Sequence, residues 1–147
     1  MILFAALVIK FLELNGFGYL LMSQGEKKIR WLKYGLFLMA LWAVFYALFR
    51  PVPPPELFNF SDVLGHFLAF FVLCVSGYCA LSARASYIFF GLLVLFSSVA
   101  ENIQEYLSPF RTFSIVDTQA NMAGAIFGIT LCLLYRRAVL RKRLAST

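Results

Sequence analysis

Residues 63–83 read VLGHFLAFFVLCVSGYCALSA, and this stretch decides the class of the protein. Its apolar character is interrupted only by His66, and as a helix it is long enough to cross the roughly 30 Å hydrocarbon core of a bilayer. Three other stretches have a similar character. The sequence therefore predicts an all-α membrane protein, a bundle of four transmembrane helices over Tyr34–Phe49, Val63–Ala83, Ser86–Leu107 and Asp117–Tyr135.

The composition supports lipid as the solvent of this chain. Of its 147 residues, 62% are hydrophobic and only 14% are charged, with a mean hydropathy of +0.83. Soluble domains are usually about 45–50% apolar. The net charge of +6 comes mostly from residues beside the predicted spans. We therefore expect contact with membrane lipids and no nucleic-acid partner.

The basic residues predict the orientation of the bundle. One face collects ten Lys and Arg residues: Lys27, Lys28, Arg30, Lys33, Arg84, Arg136, Arg137, Arg141, Lys142 and Arg143. The opposite face has only Arg50 and Arg111. Because cytoplasmic loops are enriched in basic residues, both termini of the predicted bundle should lie in the cytoplasm. The expected location is the cytoplasmic (inner) membrane of a bacterium, as a multi-pass protein.

Residues 1–21 fit this pattern poorly, since Lys10 and Glu13 interrupt them and glycines follow. Met22 begins a run that reads like a bacterial translation start. We interpret residues 1–21 as an uncertain extension, either preceding the true start or lying on the membrane surface. The four-helix transmembrane domain is assigned to residues 22–147.

The remaining polar residues form stripes near one end of the predicted bundle. Residues three or four apart share a helical face, and such spacings relate the polar residues of the second, third and fourth spans. The predicted outward-facing polar pocket consists of Asp62, His66, Glu101, Gln104, Glu105, Arg111, Asp117 and Asn121. Ionisable groups inside a membrane are costly unless they are paired or used. Arg111 is the expected partner of Asp117 or Glu101, since a guanidinium can grip a carboxylate with two hydrogen bonds.

Small residues predict where helices approach closely. Gly124 and Gly128 form a GxxxG pair, which we interpret as a helix-packing face. Cys74, Cys79 and Cys132 lie within apolar stretches without a CxxC pair. They are expected to behave as small buried hydrophobic residues.

The order and spacing of these residues resemble the VanZ-like family of bacterial membrane proteins. The similar positions run from Asp62-x3-His66-Phe67-x-Ala69-Phe70, through Glu101-x2-Gln104-x4-Pro109-x-Arg111, to Ser114-x2-Asp117-x3-Asn121-x2-Gly124-x3-Gly128. The resemblance covers roughly residues 30–135. It departs at Val63, where the family often has a lysine. The family takes its name from a protein associated with teicoplanin resistance, so the resemblance implies a link to the cell envelope and to that antibiotic.

Three functions are compatible with the polar pocket. The favoured one is binding of a lipid or lipid-linked cell-wall precursor by its head group, with no cofactor and no metal. The second is an intramembrane hydrolase or transferase, with His66 as general base or with His66, Glu101 and Asp117 holding a divalent ion. The third is a small transporter, which would need an oligomer because four short helices enclose little space. Oligomerisation is open in all three cases.

Overall fold

The described part of the chain folds into an antiparallel bundle of four helices. The structure, a computed structural model, describes residues 24–49, 61–108, 110 and 112–146. Within these ranges the chain is helical apart from short connections, and no strand occurs. The helices are α1 (Gln24–Phe49), α2 (Ser61–Ala80), α3 (Ala83–Leu107) and α4 (Ile115–Ala145). The prediction of an all-α protein with four helices long and apolar enough to span a membrane is confirmed.

Two helices extend ten residues beyond the predicted spans, whereas α3 begins three residues earlier than predicted and α2 ends three residues earlier, at Ala80. α1 begins ten residues before Tyr34, and α4 continues ten residues past Tyr135. Both extensions carry basic residues, which are good helix formers and contain no proline to interrupt the backbone. Hydropathy marks only the part of a helix that suits the hydrocarbon core, so it underestimated both helices. Residues 1–23 lie outside the described residues, as do Arg50 and the proline-rich run after it.

Contacts at the two ends show that the helices alternate in direction. At one end, the Arg136 guanidinium of α4 lies 5.2 Å from the ring centroid of Tyr87, near the start of α3. Towards the other end, Phe45 of α1 stacks on Phe96 of α3 at 5.6 Å between ring centroids. The starts of α2 and α4 therefore lie at the same end of the bundle as the ends of α1 and α3.

α2 is the central helix of the bundle. It makes its most extensive contacts with α4 and further contacts with α1 and α3. Phe70, Leu73 and Cys74 of α2 are almost completely buried in the core. Phe70 also lies 5.7 Å from Phe96 of α3, measured between ring centroids. The aromatic contacts thus hold α3 against α2.

The two glycines of the GxxxG pair lie in the contact between α2 and α4. A Cβ atom added to Gly124 would meet the backbone carbonyl oxygen of Phe67, and one added to Gly128 would lie 2.8 Å from the Cβ of Cys74. The backbones can approach this closely only because neither residue has a side chain. Cys74 and Cys132 are buried, whereas Cys79 is exposed, contrary to the expectation for all three. Cys79 lies in the last turn of α2, where the next residue, Ala80, takes the core-facing position.

The outer surface of the bundle is apolar. Large side chains on all four helices are more than 40% exposed, among them Met39, Trp42, Leu95 and Leu134. Soluble proteins rarely expose contiguous apolar surfaces of this kind. Four helices with exposed apolar faces and sufficient length suggest a multi-pass membrane protein whose outer surface contacts lipid.

Candidate functional site

A cluster of polar side chains lies where α2 begins, α3 ends and α4 begins. We call Asp62, His66, Glu101, Asp117 and Asn121 the polar cluster. The alternating directions of the helices bring these residues together, although Asp62 and Asn121 are far apart in sequence. His66 contacts Glu101 and Asn121 on two other helices, so the cluster depends on the tertiary fold.

α2 contributes Asp62 and His66, one helical turn apart. The imidazole is buried, with 7% of its surface exposed, while Asp62 is 36% exposed at the rim. His66 Nε2 lies 3.9 Å from Asp62 Oδ1. This separation is too long for a direct hydrogen bond, so Asp62 and His66 face each other across a gap.

The start of α4 is fixed by Ser114, which places Asp117 and Asn121. The Ser114 hydroxyl oxygen accepts a hydrogen bond from the Asp117 backbone N–H at 3.2 Å, as an N-cap residue does. A carboxylate in the first turn also interacts favourably with the helix dipole. One turn further, Asn121 is fully buried. Its Oδ1 atom lies 3.1 Å from His66 Nδ1 and accepts a hydrogen bond from it.

α3 contributes Glu101, whose side chain is 3% exposed. Its Oε1 atom lies 3.5 Å from His66 Nδ1. The same imidazole nitrogen therefore faces two oxygen acceptors, one from Asn121 and one from Glu101. An N–H at Nδ1 can donate to these oxygens. In the neutral imidazole with its proton on Nδ1, the lone pair is on Nε2.

Three residues are arranged to hold a cation. Asp62, His66 and Asp117 each offer one ligand atom, and these atoms lie within 4.8 Å of one another. Glu101 instead lies beside the opposite nitrogen of the ring. The alternative ligand set His66, Glu101 and Asp117 therefore differs from the group the structure assembles, in which Asp62 takes the place of Glu101.

Buried amide groups next to the cluster lack hydrogen-bond partners. Asn121 Nδ2 and both polar side-chain atoms of Gln104 are inaccessible and find no such partner among the described residues. Gln104 is 1% exposed and lies one turn after Glu101 on α3. Buried amides without partners cost of order 1–3 kcal/mol each, so they mark the place where an additional polar group would be most stabilising.

Of the remaining predicted pocket residues in the described part of the chain, Gln104 borders the polar cluster and Glu105 does not join it. Glu105 is exposed near the end of α3. Arg111 lies outside the described residues, so its expected pairing with Asp117 or Glu101 stays a prediction. Ser97, one turn deeper than Glu101, is buried and donates its hydroxyl to the Val94 carbonyl oxygen at 2.8 Å within its own helix.

A separate cavity lies at the opposite end of the bundle. It has a volume of about 390 Å³ and is lined by residues at the start of α1 and at the α2–α3 connection, including Arg30, Lys33 and Ser82. It shares no residue with the polar cluster.

Comparisons of the chain with protein-family models, with curated proteins and with solved structures gave no match. The resemblance to the VanZ-like family therefore stays a prediction from the spacing of residues.

Proposed function

We propose that this chain binds the anionic head group of a membrane lipid or a lipid-linked cell-wall precursor at the polar cluster. The observation that carries this proposal is the pair of buried amides, Gln104 and Asn121, with unpartnered polar atoms. Amide N–H groups donate to phosphate oxygens without adding charge to the membrane interior. A head group at this end would satisfy them while its acyl chains extend along the apolar surface.

The proposed orientation places the polar cluster at the outer face of a bacterial cytoplasmic membrane. In the described part of the chain the basic residues lie towards the other end, in the first turns of α1, the first turn of α3 or the last turns of α4. The positive-inside rule then assigns that end to the cytoplasm. Both termini are cytoplasmic in this proposal.

Labelling of introduced cysteines tests the orientation. In a variant without native cysteines, Thr112→Cys should react with a membrane-impermeant maleimide in intact spheroplasts, because Thr112 is exposed at the cluster end. Ser146→Cys, exposed beyond α4, should react only after permeabilisation. The reverse pattern would show that the cluster faces the cytoplasm.

Head-group binding can be measured directly on the purified protein. Native mass spectrometry with phosphatidylglycerol, and separately with a polyprenyl diphosphate, should show adducts to the wild type. Asn121→Leu should weaken binding of the preferred lipid by about tenfold, roughly the 1.4 kcal/mol expected for losing one hydrogen bond to a charged group. Thr130→Val is the matched control on α4, since Thr130 is exposed and donates only to Ile126 O. Equal binding by wild type, Asn121→Leu and Thr130→Val would rule out head-group binding at the cluster.

We further propose that such binding protects cells against teicoplanin, as the family resemblance implies. Expression of the wild type in a permeable host should raise the inhibitory concentration of teicoplanin more than that of vancomycin. The Asn121→Leu variant should lose this protection at equal membrane abundance. Absence of protection by a well-expressed wild type would separate the lipid-binding proposal from antibiotic resistance.

A further inference from the structure

We infer that Asp62, His66 and Asp117 form a binding site for one divalent transition-metal ion, with Zn²⁺ the best match to the donor set. Imidazole nitrogen and carboxylate oxygen are both ligands that Zn²⁺ accepts, and the imidazole disfavours Mg²⁺ and Ca²⁺, which take oxygen ligands. The ligand atoms come from two helices that pack tightly together, and they lie within 4.8 Å of one another. The inference deepens the proposed function and rests on it only where the metal is given a role in head-group binding.

The contacts of the imidazole prepare Nε2 to bind a metal. Asn121 Oδ1, 3.1 Å away, accepts the proton of His66 Nδ1, and Glu101 Oε1 lies 3.5 Å from the same nitrogen. Metal-binding histidines usually donate their other N–H to a carboxylate or a carbonyl in this way, which fixes the tautomer and the ring orientation. The two oxygens thus direct the lone pair of Nε2 to the side where Asp62 lies.

The ligand atoms lie within 4.8 Å of one another, somewhat farther apart than they would be around a bound ion. His66 Nε2 and Asp62 Oδ1 are 3.9 Å apart, beyond hydrogen-bond range. Two ligand atoms that each lie about 2.1 Å from a tetrahedral Zn²⁺ are separated by roughly 3.4 Å. A small rotation of the Asp62 side chain would close the difference, and its 36% exposed surface leaves room for that movement.

Three protein ligands leave one position of a tetrahedral ion open. The unpartnered Nδ2 atom of Asn121 belongs to the same amide that orients His66. A phosphate oxygen of the head group would take the open position, while a second phosphate oxygen accepts from a buried amide N–H. The site therefore favours an anionic head group, whose phosphate has no amine beside it, over a zwitterionic head group, whose amine shields the phosphate.

The chain offers an unusually direct probe, because His66 is its only histidine. Protein labelled with ¹⁵N-histidine, carrying no polyhistidine tag and reconstituted in nanodiscs, gives the two nitrogen signals of one imidazole. Before metal is added, the proton should be on Nδ1. Titration with Zn²⁺ should shift the Nε2 signal strongly and leave Nδ1 protonated. Zn²⁺ bound at a cysteine thiol would leave these signals unchanged.

Variants then identify the other ligands. Asp62→Asn and Asp117→Asn should each weaken Zn²⁺ binding, followed at the imidazole signal, by at least about tenfold. Glu105→Gln removes an exposed carboxylate from the same end of the bundle and should bind like the wild type. An Nε2 signal that does not respond to Zn²⁺, or ligand variants that bind as tightly as Glu105→Gln, would overturn the inference.

Lipid binding with and without the metal separates the inference from the proposed function. If the metal holds the phosphate, adding Zn²⁺ to chelator-treated protein should strengthen phosphatidylglycerol binding by tenfold or more. Lipid binding without a Zn²⁺ response at His66 would refute the metal site and leave the proposed function standing. A Zn²⁺ response without binding of any phosphate lipid would support the metal site and refute the proposed function.

Discussion

Replacing Gly124 by alanine is expected to destabilise the bundle by about 3 kcal/mol, at the upper end of the cost of overpacking a core. The added methyl group would meet the carbonyl oxygen of Phe67, which belongs to the α2 backbone and cannot rotate away as a side chain can. α2 and α4 would have to separate, and this pair makes the most extensive contacts of the bundle. Gly124→Leu should yield no folded protein.

The measurement is thermal unfolding in detergent, where about 3 kcal/mol corresponds to a fall in Tm of roughly 6–12 °C for a chain of this size. Gly91→Ala is the matched control, because a Cβ added there meets nothing within 4 Å. Since alanine is a better helix former than glycine, the control should unfold at the same temperature or higher. Equal Tm values for Gly124→Ala and Gly91→Ala would contradict the close packing of α2 on α4.

The number and type of helices could be predicted from sequence because lipid imposes a simple requirement on composition. A spanning segment must be apolar on nearly every side, and residues 63–83 meet that requirement throughout. Hydropathy contains no information about where a helix continues beyond the bilayer. The basic turns of α1 and α4 were therefore missed, although their residues favour helix.

The polar cluster could be predicted only in part, because sequence spacing fixes the face of one helix and not its neighbours. The i, i+4 spacing placed Asp62 and His66 together, but the contact of His66 with Asn121 depends on how closely α2 and α4 approach. Gly124 is the residue that permits this approach. One available signal was overlooked: Ser114-x-x-Asp117 matches the pattern of a helix start, and it fixes Asp117 in the first turn of α4.

For Glu105, the spacing along the helix predicted a contact group that the structure does not contain. It lies four residues after Glu101, so its position on the helix predicted that both would join the same group. Glu101 is buried, whereas Glu105 is exposed. The end of α3 is itself covered, because Gln104 and Ser108 are buried there. Glu105 is exposed because four residues advance a helix by about 400°, which turns Glu105 about 40° away from Glu101 and off the covered face.

The polar cluster can be tested by replacing its buried residues with apolar ones. If the bundle then becomes more stable, the cluster is kept for function and not for stability. We expect the triple variant His66→Leu, Glu101→Met, Asn121→Leu to be as stable as the wild type or more stable by about 1–4 kcal/mol. Replacing a complete buried polar group by apolar side chains of similar size often has this effect, because the cost of desolvation disappears. The same variant should lose most of its head-group binding, since in the described part of the chain Gln104 would be the one unpartnered buried amide left beside the cluster and only Asp62 and Asp117 would remain of the cluster itself.

A variant with only Glu101 replaced distinguishes a functional role of the cluster from a structural one. Glu101→Met alone should be less stable than the triple variant, because His66 and Asn121 then remain buried with one acceptor fewer beside Nδ1. Thermal unfolding and lipid adducts would be measured on wild type, single and triple variants in the same detergent. If the polar contacts served only to hold the helices together, each would add roughly 0.6–2 kcal/mol, and the triple variant would be the least stable of the three. A triple variant with a raised Tm and strongly reduced lipid adducts would instead mean that the wild type keeps a binding site within the membrane at a cost in stability.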